Sequence, residues 1–121
     1  MSKKILIVDD SALMRRVMCD IINSDSKFQA TDYCRDGLEA YEKLKHTSYD
    51  GVVLDVNMPR MDGLQLLEKL QKEGIRANVV MVSTLTDSRE ADVTILAMER
   101  GAIDFVAKPT NKKKKKGEAF K

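Results

Sequence analysis

The sequence predicts an α/β fold, a five-stranded parallel sheet with helices on both faces, and three observations carry that prediction. Short, wholly apolar runs recur along the chain, helix-period segments separate them, and each clear run stops abruptly at a polar residue. A parallel strand covered on both faces has no side to show to water, so it reads as a continuous apolar run rather than an alternating one. The intervening helices follow from connectivity, because a parallel crossover is nearly always right-handed and lays its helix against the sheet.

Taken in order, Ile5-Leu6-Ile7-Val8 is the first strand and ends in Asp9-Asp10. Leu13, Val17 and Ile21, at i, i+4 and i+8, form the apolar stripe of a first helix. Phe28 to Tyr33 is a weaker strand, followed by a helix on Leu38, Tyr41 and Leu44. Val52-Val53-Leu54 ends in Asp55, and Leu64, Leu67 and Leu70 mark a third helix with Asp62 as its N-cap. Val79-Val80-Met81-Val82 ends in Ser83, after which Asp87 and Glu90 have capping-box spacing for a fourth helix that Gly101 closes. Ile103 to Ala107 is the fifth strand and ends in Lys108-Pro109.

The pattern then fails. Beyond Pro109 come Thr110-Asn111, five lysines, Gly117 and Glu118-Ala119-Phe120-Lys121, with no apolar stripe. Like charges in succession repel and bury no face, so the fifth helix is expected to be short or missing. Residues 1–109 therefore read as one domain and 110–121 as a Lys-rich tail or truncated linker, with a flank of the sheet left open. No internal repeat is visible.

At 121 residues, with 43% hydrophobic and 33% charged, the chain has room for one core and the composition of an ordinary soluble domain. Its net charge of +2 misleads: residues 112–121 hold six of the 21 basic residues and only one of the 19 acidic ones, so the remainder is at −3. A mildly acidic domain argues against a nucleic-acid partner. No apolar stretch approaches a membrane span, so no membrane insertion is expected. Only four apolar residues follow Lys3-Lys4, short of a secretory h-region, and a cytoplasmic location is expected. Cys19 and Cys34 lack metal-ligand spacing and read as reduced thiols. His46 reads as a solvated residue near the end of the second helix and receives no role.

The chemistry is carried by position. Asp9-Asp10, Asp55, Ser83 and Lys108 each follow directly on a strand run, and in open α/β sheets ligands bind outside the carboxyl ends of the strands. These residues should converge in one crevice. Three carboxylates there repel unless a cation sits among them, and hard oxygen donors without Cys or His favour Mg²⁺, with Mn²⁺ also suitable. A carboxylate can attack phosphorus, and phosphoryl transfer asks chiefly for positioning and charge neutralisation, which a lysine, a hydroxyl and a metal supply.

Val8-Asp9-Asp10-Ser11, Leu54-Asp55-Val56-Asn57-Met58-Pro59, Met61-Asp62-Gly63, Ser83 and Lys108-Pro109 resemble the receiver domains of two-component response regulators over residues 3–109. The resemblance implies a flavodoxin-like doubly wound sheet in the order 2-1-3-4-5. It further implies that Asp55 is the phosphoacceptor and that Asp10, Asp55 and the backbone carbonyl of Asn57 hold Mg²⁺, with Asp9 acting through water. Lys108 would bind phosphate, Ser83 and Thr84 would contact the phosphoryl group, Phe105 would be the switch aromatic, and Pro109 would follow a cis bond. Asn57, two places past Asp55, could also tune phosphoryl lifetime.

Ser11-Ala12-Leu13-Met14-Arg15-Arg16, Val82 to Thr86, Ala91-Asp92-Val93-Thr94 and Gly101 to Val106 are similar to the receivers of chemotaxis protein-glutamate methylesterases. That narrower resemblance implies a chemotaxis sensor histidine kinase as partner and, in the parent protein, a C-terminal hydrolase domain acting on chemoreceptors. These 121 residues hold no G-x-S-x-G and one histidine, so no esterase activity is expected of them. The alternatives are a stand-alone chemotaxis-type receiver, a silent adaptor, or a Mg²⁺-dependent phosphohydrolase of the haloacid dehalogenase type. Such a hydrolase needs D-x-D, and here the second position is Asn57.

Overall fold

In the computed structural model residues 2–83 and 89–108 are described, Arg89 and Glu90 by backbone only. Nine elements alternate: β1 Lys3–Val8, α1 Ala12–Asn23, β2 Phe28–Cys34, α2 Gly37–His46, β3 Gly51–Asp55, α3 Gly63–Lys72, β4 Val79–Ser83, α4 Arg89–Glu99 and β5 Asp104–Ala107. The strands form one parallel sheet in the order β2-β1-β3-β4-β5, as the resemblance implied.

The two faces of the sheet are visible in how its side chains cluster. Leu6, Val8, Val52, Leu54, Val79 and Met81 pack with Ala40, Tyr41 and Leu44 of α2, Leu66, Leu67 and Leu70 of α3, and Ala97 of α4. Ile7 and Val82 point the other way, onto Met18 of α1, with Met14, Cys19, Ile22 and Val53 beside them. Each large apolar side chain so buried contributes about 1.5–3 kcal/mol relative to exposure. Among the described residues α1 is the only helix on this second face, and past it Val80, Val82 and Val106 line an open apolar groove of about 180 Å³. The expected open flank and the expected loss of a fifth helix both turn on 109–121, outside the described residues.

Three expectations need correction. The stripe assigned to α1 is the wrong one, for Leu13 is 57% exposed and Ile21 53%, while Met14, Met18 and Ile22, one residue on, face the sheet. In α2, Leu38 is 39% exposed and stands outside the core cluster, where Ala40, Tyr41 and Leu44 do the packing. The fifth strand begins at Asp104 rather than Ile103, whose side chain is exposed although its N–H still bonds to Val79.

The helix ends follow capping chemistry. Asp62 caps α3 as expected, and it does so in a full capping box with Gln65. Gly101, at φ +103°, ends α4 as expected, with the Ala102 N–H reaching back to the Ala97 carbonyl. Asp87 lies outside the described residues. Ser11 and Asp36 cap α1 and α2.

Candidate phosphoacceptor site

Strand register brings the site together. Val8 pairs with Leu54, Asp55 with Val82, and Ser83 with Ala107, so the residue at or just past the end of β1, β3, β4 and β5 stands on one edge of the sheet. Those residues are Asp9, Asp55, Ser83 and Lys108. The edge also lies between β1 and β3, where the strand order reverses and a crevice opens.

Asp9, Asp55 and Ser83 are almost wholly buried, whereas Asp10 is exposed at the mouth. A carboxylate oxygen of each of Asp9, Asp10 and Asp55 lies within 4.8 Å of the others, among the described residues the one such cluster able to hold a metal ion. Lys108 is the counter-ion: its Nζ lies 2.9 Å from Oδ2 of Asp9 and 3.2 Å from Oδ2 of Asp55. Its backbone N–H donates to the Ser83 carbonyl at 2.9 Å, which anchors the lysine at the strand edge. Asp9 is fixed on its other side, Oδ1 accepting the Ser11 N–H at 2.9 Å, and its own carbonyl accepts from Arg15 Nη1 at 2.9 Å.

The charges are imperfectly balanced. Burial, and then the neighbouring Asp9, push the Asp55 carboxyl up to about 6, against the pull of Lys108 and a hydrogen bond from the Asn57 N–H. Lys108 is held above the ordinary lysine range, since its bonds to Asp9 and Asp55 outweigh its own desolvation. One ammonium thus serves two buried carboxylates with a third close by. A hard divalent cation fits that set of three carboxylates.

Of the expected site residues, the structure brings Asp9, Asp10, Asp55, Ser83 and Lys108 to one edge. Asn57 follows Asp55 on the loop to α3, exposed, with its backbone N–H on the Asp55 carboxylate. Phe105 is on β5, half buried against the core beneath α4. Thr84 and Pro109 lie outside the described residues. Met58 and Met61 pack against the core, as loop packing requires. Both cysteines are free, and burial raises the Cys34 thiol to about 12, leaving it unreactive at neutral pH. His46 is exposed at the last position of α2. No described helix is long and apolar enough to cross a membrane.

Sequence reasoning missed Asp36 and Arg60. Asp36 is 6% exposed and accepts from Arg60 Nε at 2.9 Å, with Nη2 at 2.7 Å. Asp36-Gly37-Leu38-Glu39 carried a readable N-cap signal; nothing local pointed to Arg60.

Comparison with known proteins agrees with this fold. The response regulator receiver domain family matches residues 5–117. The protein-glutamate methylesterase/protein-glutamine glutaminase of Pyrococcus horikoshii is 49% identical over 108 residues, 89% of this chain but 29% of the relative. Its counterpart in Escherichia coli K12 is 51% identical over 111 residues, 90% of this chain and 31% of the relative. The chain thus spans under a third of the length of these curated relatives. Among solved structures, the response regulator domain of Thermotoga maritima CheB superposes with a TM-score of 0.83 at 35% identity, covering 99% of this chain and 92% of that one. The CheX-CheY-BeF3-Mg²⁺ complex of Borrelia burgdorferi gives 0.79 at 32% identity, with 93% and 82% covered.

Proposed function

The chain belongs to the response regulator receiver domain family, and from that premise we propose that it is the phosphoacceptor switch of a chemotaxis-type protein-glutamate methylesterase, phosphorylated on Asp55 by a sensor histidine kinase. The observation that carries this reading is the buried Asp55 carboxylate at the strand edge, joined to Asp9 through the Lys108 ammonium that pairs with both. The methylesterase assignment is supported by about 50% identity to the matched part of those relatives, whose remaining two-thirds would hold the hydrolase domain.

An oxygen of Asp55 attacks the phosphorus of a phosphohistidine, the P–N bond breaks with its electron pair going to nitrogen, and the acyl phosphate forms as a neutral imidazole leaves, its other ring nitrogen already carrying a proton. Lys108, already beside that carboxylate, pairs its ammonium with a phosphoryl oxygen, where negative charge accumulates. Asp9 holds Lys108 from the far side and keeps it directed at the reacting centre. Asp10, Asp55 and the backbone carbonyl of Asn57 would hold Mg²⁺, which when bound supplies further neutralisation of the phosphoryl oxygens. The Borrelia complex contains Mg²⁺ together with BeF3.

The new charge then shifts a two-state packing: Ser83 turns toward the phosphoryl group and Phe105, on the neighbouring strand opposite Met81 two residues before Ser83, repacks. In the parent protein that change of surface would regulate the hydrolase. The decisive test is intact-mass measurement after incubation with a small phosphodonor and Mg²⁺. One phosphoryl adduct, absent in Asp55→Ala and in the presence of EDTA, is expected; an adduct that survives in Asp55→Ala would sink the assignment.

A further inference from the structure

The loop that leaves Asp55 has an uncommon tip. The Met61 N–H donates to the Pro59 carbonyl at 2.7 Å across Arg60, whose φ is +67°. Together these describe a γ-turn of the positive-φ form, the rarer and more strained of its two mirror images. Glycine adopts such a backbone freely, whereas an arginine does so only where its surroundings hold it.

Asp36 does the holding. Its Oδ2 takes both Arg60 donors, Nε at 2.9 Å and Nη2 at 2.7 Å, while its Oδ1 caps α2 by accepting the Glu39 N–H at 2.9 Å. Next to it the Gly37 N–H donates to the Met61 carbonyl at 2.9 Å, and a Cβ at Gly37 would come within 2.3 Å of that oxygen. The turn before α2 and the loop before α3 therefore fit without a gap. The base of the loop is closed by the Gly63 N–H on the Val56 carbonyl at 2.9 Å. On the Asp55 side only Asn57 and Met58 are left between the closed base and the clamped tip, and the Asn57 N–H bonds to the Asp55 carboxylate.

We propose that the Asp36–Arg60 pair is a positioning clamp for phosphoryl transfer, fixing the 56–62 loop so that the Asn57 backbone stays seated against Asp55. The clamp rests on the phosphoacceptor reading and deepens it. Neither residue reaches the reacting atoms; both act through the loop. Arg60 is 60% exposed at its side chain, so an arginine kept there only to turn the chain would be replaceable by glycine without loss. A clamp makes the opposite demand, because it needs the guanidinium in place.

That contrast sets the experiment: phosphorylation rates with a small phosphodonor across a Mg²⁺ titration, alongside thermal unfolding, for wild type, Arg60→Gly, Arg60→Lys, Asp36→Asn and the double variant Asp36→Asn/Arg60→Gly. Arg60→Gly relieves the positive φ and keeps its melting temperature, yet its rate at subsaturating Mg²⁺ falls about tenfold, the low end for groups that orient a ligand set. Asp36→Asn, which retains an oxygen to cap α2, falls similarly. Arg60→Lys recovers part of the rate, and the double variant is no slower than either single one. A wild-type rate in Arg60→Gly or in Asp36→Asn overturns the clamp, as do losses that add in the double variant. No adduct on the wild type overturns the phosphoacceptor reading, and the clamp with it.

Discussion

Lys108 Nζ stands 3.2 Å from Oδ2 of Asp55, the carboxylate that a phosphoryl group or a metal ion would also have to approach. It is therefore both a stand-in for the metal's charge and a competitor for the same ligands. Replacement by a neutral side chain of similar length, Lys108→Met, separates the two roles by sign. With the competing charge gone, Mg²⁺ binds the acidic cluster several-fold more tightly in calorimetric titration. Phosphorylation by a small donor nevertheless slows about a hundredfold at saturating Mg²⁺, the usual effect of removing one donor aimed at developing charge. A variant that weakens Mg²⁺ binding and transfer together would show that Lys108 only holds the site in shape.

The raised Asp55 carboxyl makes a pH-dependent prediction. In the folded protein it holds its proton up to about pH 6, whereas its ordinary value is 3.8. Between those values the native state binds more protons, so this group's contribution to stability is fully present below about 3.8 and is lost as pH rises through about 6. Asp55→Asn keeps the uncharged form at every pH. It should melt roughly 4 °C above the wild type at pH 7.5, with the gain vanishing toward pH 4. Added Mg²⁺ should raise the wild-type melting temperature at pH 7.5 and leave that of the variant unchanged, since a cation that binds only the native state stabilises it by mass action. An equal gain at both pH values would mean that Asn packs better for reasons unrelated to charge.

The site was legible in the sequence because a parallel sheet converts sequence position into spatial level. Val8, Leu54, Val82 and Ala107 end or nearly end their runs at matching register, so the polar residues that follow had to share an edge. The Asp36–Arg60 pair was not legible, since its partners sit 24 residues apart on two loops and pair only after the sheet has set their spacing. The buried face of α1 was hidden for a different reason. Leu13, Val17 and Ile21 interleave with Met14, Met18 and Ile22, and both sets obey i, i+4, i+8. Helical period fixes spacing and leaves phase open; the sheet selects Met18 by packing it on Ile7 and Val82.

That choice of phase has unequal consequences for two neighbouring faces. Met18 is 4% exposed within the cluster on the α1 face of the sheet, and Met18→Ala should cost about 2–4 kcal/mol of unfolding free energy through lost burial and the cavity left behind. Leu13→Ala, on a side chain that is mostly in water, should stay within about 0.5 kcal/mol of the wild type. Urea titration of both variants checks this directly. A large loss in Leu13→Ala would mean that residues outside those described cover the outer ridge of α1.

Gly63 ties the stability of the fold to the geometry of its reactive residue. A Cβ there would lie 2.3 Å from the backbone carbonyl oxygen of Asp55 and 3.0 Å from the Met81 Cε. Methionine can yield, but the carbonyl cannot, because Asp55 is held in the β3–β4 ladder opposite Val82. In Gly63→Ala the start of α3 must therefore move away from β3, stretching the Gly63–Val56 hydrogen bond that closes the phosphoacceptor loop. The expected cost is about 1–3 kcal/mol, as for other insertions into a filled space. The displaced loop carries Asn57 with it, so phosphorylation by a small donor should slow even at temperatures where the variant is fully folded. A folded variant with a normal rate would show that α3 can shift without disturbing the Asp55 carboxylate.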